Sequence, residues 1–117
     1  MITIKALLLN AFVVALASYP HLSSAEGFTS ADVLEWAEDS QDSYFQTSVT
    51  MIGVVATQTG AHGHIAACID DWYWQGNTAN PEHNDTIRAA MQRFPDLYPQ
   101  AIVLAVVEKQ CGKFSRS

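Results

Sequence analysis

Cys68 and Cys111 are the only cysteines in this 117-residue chain, and each falls on an apolar stripe at helical spacing. Around the first, Ile65, Cys68, Ile69, Trp72 and Tyr73 recur at i, i+3, i+4, i+7 and i+8, one face of an α-helix. Around the second, Val103, Leu104, Val107 and Cys111 share a face of a helix opening on Pro99 and closing on Gly112. Both thiols therefore point inward from separate helices, which is where a disulfide between two packed helices has to sit. An even cysteine count in a chain bound for an oxidising compartment makes that disulfide the default. By chain entropy alone, closing such a loop stabilises the fold by about 4 kcal/mol. It also withdraws both sulfurs from catalysis and metal binding.

The compartment is read from the N-terminus. "MITIKALLLNAFVVALASYPHLSSAEG" has one early charge, Lys5, and an apolar run from Ala6 to Ala17 broken only by Asn10. Ser23, Ser24 and Ala25 then supply the small residues of a signal-peptidase site. The run is shorter than the roughly 20 residues needed to span a bilayer. Residues 1–25 are thus expected to be a signal peptide cut after Ala25, with Ala17 as the alternative. A secreted domain of residues 26–117 remains, with no membrane insertion after cleavage. A chain of that length builds only a marginal core and benefits from a covalent staple.

Cleavage leaves five basic residues against twelve acidic ones, a net charge of −7. Nucleic acid and anionic membrane surfaces need a positive footprint and are excluded as partners. A basic protein partner is compatible. The acids crowd the front of the domain, at Glu35, Glu38, Asp39 and Asp42, and recur at Asp70 and Asp71.

The expected fold class is all-α, a small bundle of four to five short helices with one disulfide. "TSADVLEWAED" starts a helix at Thr29 or Ser30, with Val33, Leu34 and Ala37 as its apolar stripe. The next helix takes Ser40 as a possible cap and turns Tyr44, Phe45, Val49, Ile52 and Ala56 to one side. Gly53 inside it suggests close backbone approach by a neighbour, and Gly60 ends it. Gly76 is expected to close the helix that begins near His64. Asn80 and Pro81 start another, lined by Ile87, Ala90, Met91 and Phe94 and stopped by Pro95. The tail from about residue 113 is expected to be flexible.

Candidate chemistry is sparse. His62 and His64 form an H-x-H pair that, with Asp70 or Asp71, suggests a weak metal site, yet zinc requires three or four convergent ligands. Asp70 and Asp71 point about 100° apart on a helix and cannot face each other as an acid/base pair. No serine, threonine or cysteine sits in a nucleophile motif, and no glycine-rich phosphate loop occurs. The chain is therefore expected to be no enzyme and to carry no cofactor. Asn84-Asp85-Thr86 matches a glycosylation sequon early in a helix. Trp74 falls off the apolar stripe, which makes it a candidate contact residue.

The run "GFTSADVLEW … SYFQTSVTMIGVVAT … CIDDWY … IRAAMQRFPDLYPQAIVLAVVEKQC" resembles the Tai-type immunity proteins of bacterial type VI secretion. The resemblance rests on "FTSADVLEW", the central helix with Gly53-Val54, the central cysteine, and a proline-started last helix closing on the second. It implies a small helical protein of the bacterial periplasm that binds and neutralises a toxic effector. In size, single disulfide and acidic composition the chain is also similar to the HdeA-type periplasmic acid-stress chaperones.

The function expected is non-enzymatic binding of a protein partner, immunity-like, with an HdeA-like acid-activated chaperone as the alternative. A small metal- or ligand-binding module at His62, His64 and Asp70 is the third reading. The expected contact residues are Glu35, Glu38, Asp42, Asp70, Asp71 and Trp74, and a homodimer is compatible with them.

Overall fold

The computed structural model describes residues 27–115, so the expected signal peptide and its two expected cleavage points, Ala17 and Ala25, lie outside the described residues. Five helices carry the described chain: α1 (Ser30–Leu34), α2 (Glu38–Gln58), α3 (Gly63–Trp72), α4 (Pro81–Arg93) and α5 (Pro99–Cys111). The fold class is all-α, as expected. Its one departure is a short antiparallel hairpin, β1 (Trp74–Gln75) with β2 (Thr78–Ala79), pairing Trp74 with Ala79.

α1 begins with a capping box. The Asp32 carboxylate accepts the Thr29 backbone N–H at 2.8 Å, and the Thr29 hydroxyl accepts the Asp32 N–H at 3.4 Å. Two donors in such a first turn otherwise lack partners. The Ser30 and Ala31 N–H groups donate instead to Leu97 O and Pro95 O, at 2.9 and 3.0 Å. The turn between α4 and α5 thereby holds the start of α1.

α2 starts at Glu38, with Ala37 at its cap and no side-chain capping bond, so Ser40 lies inside the helix rather than at its start. Glu38 and Asp39 compensate by placing negative charge at the positive helix terminus. Phe45, Val49 and Ala56 are buried, while Tyr44 and Ile52 are half-buried on the same side. At Gly53, an added Cβ would meet only Ile69 Cδ1 of α3, at 3.9 Å. The close backbone approach anticipated there is an ordinary side-chain contact with room for a methyl group.

α3 ends at Trp72, with the Tyr73 N–H closing on Ile69 O. Gly76 is therefore not a helix terminator. Its φ of +66° serves the hairpin turn, a backbone region that favours glycine. Asn80 and Pro81 start α4 as expected, the Asn80 side-chain oxygen accepting the Glu82 N–H at 3.0 Å.

The core is one cluster drawing on every helix and on the hairpin: Val33 from α1, Phe45 and Val49 from α2, and Ile65 and Ile69 from α3. Tyr73 and Ala79 join from the hairpin region, Ile87 and Met91 from α4, and Ile102, Val103 and Val107 from α5. α2 packs on α3 and α5, and α4 packs on α5 and α1. Cys68 and Cys111 are disulfide-bonded with their Cα atoms 5.6 Å apart, fastening α3 to the end of α5. Phe94 and Leu104, assigned inward by periodicity, are exposed. Phe94 lies one residue past α4, where the helical phase no longer applies.

Candidate functional site

The histidine pair resolves into two different environments. His62, expected in a solvated turn, is buried at 8% exposure. Its Nε2 accepts the Ser115 backbone N–H at 3.0 Å, so the proton resides on Nδ1 and is donated to Thr59 Oγ1 at 2.7 Å. The Thr59 hydroxyl in turn donates a hydrogen bond to Ala56 O at 3.3 Å. Phe114 packs on the imidazole at 4.8 Å between ring centroids. The chain at residues 113–115, anticipated as flexible, is thus folded back onto the end of α2. Both His62 nitrogens are spent within the fold, and His64 is exposed on the first turn of α3. No group of three or more potential metal ligands converges among the described residues.

Asp70 and Asp71 are both exposed on α3. Asp70 borders a cleft of about 390 Å³ between α2 and α3, lined by Val49, Gly53, Val54, Ile69 and Trp74. Trp74 is half-buried, its ring edge-on to Tyr73 at 5.0 Å, and is partly committed to packing. Asn84 of the sequon is 4% exposed and accepts a hydrogen bond from the Tyr73 hydroxyl. It is a core residue rather than a glycan acceptor. Burial, and secondarily the negative charge of Asp42, raise the Tyr73 pKa above the ordinary tyrosine value.

The front-end acids divide. Asp42 pairs with Arg88 of α4 across the interface. Arg88 also donates to Asp85 at 2.6 Å and to Gln41 Oε1 at 2.7 Å, and lies 5.5 Å over the Phe45 ring. Gln41 in turn donates to Leu34 O and Trp36 O at 3.2 and 2.9 Å, closing the C-terminal end of α1. Asp42 is therefore occupied in a clamp tying α1, α2 and α4 together. Glu35 and Glu38 remain exposed, with Glu38 only 3.9 Å from Arg88 at its nearest approach.

Beside those two acids lies a feature the sequence reading missed. Phe28 and Trp36 stack at 5.8 Å, and the Tyr44 ring meets them edge-on at 6.1 and 5.7 Å. Gln100 of α5 donates to the Tyr44 hydroxyl at 2.8 Å. Phe28 and Trp36 nevertheless stay 43% and 40% exposed. The three rings lie before α1, between α1 and α2, and within α2, so they share no helix face and only the fold assembles them. Met51 and Val55 extend the exposed apolar surface along α2, which carries no charged residue after Asp42.

A second concavity, about 710 Å³, runs between α4 and α5. None of the residues named in advance as contacts lines it. No described helix is long and apolar enough to cross a membrane. Comparison with protein-family models, with curated proteins and with solved structures returns no match.

Proposed function

We propose that this chain is an exported, non-enzymatic protein-binding domain that occupies and silences a toxic effector in the bacterial periplasm, as its resemblance to the Tai-type proteins implies. The observation that supports this reading is the solvent-facing cluster of Phe28, Trp36 and Tyr44 beside Glu35, Glu38 and Asp39. Tryptophan and tyrosine dominate interface hot spots because they bury large area at little entropic cost. The carboxylates around the rings favour a basic partner, steering its approach and fixing its register.

The test is co-production with the product of the neighbouring gene, scored for rescue of growth and for one-to-one binding at neutral pH. Trp36→Ala and Glu38→Lys are expected to weaken binding at least tenfold while leaving the helical circular dichroism at 25 °C, roughly room temperature, unchanged. Absence of both rescue and stoichiometric binding removes the immunity reading.

The Arg88 clamp favours a second reading, the acid-activated chaperone. The clamp joining α4 to α2 depends on carboxylate counter-charges, which carboxyl groups as a class lose in strong acid while the chain becomes positive. Such a protein suppresses aggregation of unrelated proteins near pH 2–3, roughly where carboxylates are protonated. A chain that stays folded and inert there is not such a chaperone.

A further inference from the structure

The groove between α4 and α5 has a charge character opposite to the rest of the molecule. Residues 26–117 hold five cations and twelve acids, yet among the described residues no carboxylate lines this groove and two cations do, Arg93 and Lys109. Neither forms an ion pair among the described residues, in contrast to Arg88, which is committed to its clamp. The Arg93 guanidinium rests 5.7 Å over the Phe94 ring, at the mouth of the groove.

A five-residue turn joins α4 to α5, so the two helices run antiparallel. Arg93, the last residue of α4, therefore lies at the turn end, and Lys109 lies at the other. Phe94 and Leu97 line the turn end. At the far end Trp72 stacks on His83, with ring centroids 4.5 Å apart. Ala90, Ile102 and Val106 form the floor, and the short side chains of Ala101 and Ala105 leave it open. The ten helical steps from His83 to Arg93 span about 15 Å.

An apolar trough of this volume falls within the range of small-ligand sites, about 300–1,000 Å³. Aromatic groups at both ends favour a finite ligand over a partner helix, which is about 10 Å thick and would have to run past them. The apolar floor calls for a hydrocarbon chain, and a cation at each end, without an ion pair among the described residues, offers a partner to an anionic head. We infer that the α4–α5 groove binds a single-chain fatty acid of about twelve carbons, the extended length that matches the trough. Its chain lies along the floor, and its carboxylate pairs with Arg93 or Lys109. This inference does not depend on the effector-binding reading, whose aromatic cluster is built from other residues.

The experiment is titration of the purified protein with sodium dodecanoate at neutral pH and low salt, followed by calorimetry and tryptophan fluorescence. Saturable one-to-one binding is expected. Substituting both cations, Arg93→Gln with Lys109→Gln, is expected to weaken it at least tenfold, and dodecanol to bind at least tenfold more weakly than dodecanoate. Ala105→Trp, a change at an exposed position, fills the trough and is expected to abolish binding with the helical circular dichroism unchanged. Trp72→Phe is expected to remove the fluorescence response while calorimetric binding persists.

Absence of saturable binding overturns the inference, as does equal affinity for dodecanol or full affinity in Ala105→Trp. If dodecanoate fails and an acidic amphipathic peptide with leucines at i, i+4 and i+7 binds instead, the groove is a helix site and the inference is likewise wrong.

Discussion

At the scale of single residues, two positions show how burial changes what a side chain means. Gly53 sits inside α2, where glycine costs about 1 kcal/mol against alanine. Because an added Cβ would meet only Ile69 at an ordinary contact distance, Gly53→Ala is expected to stabilise the fold by about 0.5–1 kcal/mol. The midpoint of urea unfolding measures this, and destabilisation would indicate that α3 packs closer than described. Tyr73 shows the opposite case, a polar tip sealed in the core against Asn84.

The Tyr73 phenol is held neutral above the pH at which a free tyrosine ionises, because burial disfavours the phenolate. The unfolded chain releases this proton near pH 10. Above that pH the folded state binds more protons than the unfolded state, so stability falls as pH rises. Tyr73→Phe is expected to cost about 1–3 kcal/mol at neutral pH by leaving Asn84 unpaired. It should also remove most of the alkaline loss, so the stabilities of the two proteins should converge between pH 9 and pH 11, roughly the range of tyrosine ionisation. Parallel curves across that range would show that Tyr73 does not control the alkaline limb.

At the scale of elements, the helix starts were legible wherever a residue type leaves few options. Thr29, Asn80 and the prolines Pro81 and Pro99 stand where local capping chemistry places them. Ser40 and Gly76 were misplaced because each has more than one use. A serine also fits inside a helical turn, and a glycine with positive φ fits a hairpin as well as a helix end.

The C-terminal segment was the larger surprise. A polar stretch with one phenylalanine looks frayed, yet the buried His62 recruits it through the Ser115 backbone and the Phe114 ring. His62→Ala removes the acceptor and the ring contact together, at an expected cost of about 1–3 kcal/mol. Limited proteolysis after Lys113 is expected to accelerate in that variant. Unchanged cleavage would show that the tail is held by something other than His62.

At the scale of the whole molecule, the disulfide joins α3 to the last turn of α5 and closes the loop containing the hairpin and α4. Converting both cysteines to serine is expected to remove about 4 kcal/mol by chain entropy. Against a total stability of about 5–15 kcal/mol for ordinary domains, that is a large share. Thermal melting should fall by roughly 15–30 °C. A loss under about 1 kcal/mol would mean that the reduced, unfolded chain is already compact in this region.

The amino-acid order by itself determined the helical class, most helix starts, the inward stripes and the meeting of Cys68 with Cys111. Periodicity and capping act within a few residues, so they survive without knowledge of the partners. Only the tertiary structure decided that Asp42 belongs to the Arg88 clamp, that His62 anchors the tail, and that Phe28, Trp36 and Tyr44 gather on one face. The same holds for the basic trough between α4 and α5. Each of these joins residues from distant stretches, and no local rule encodes which side chains packing will bring together.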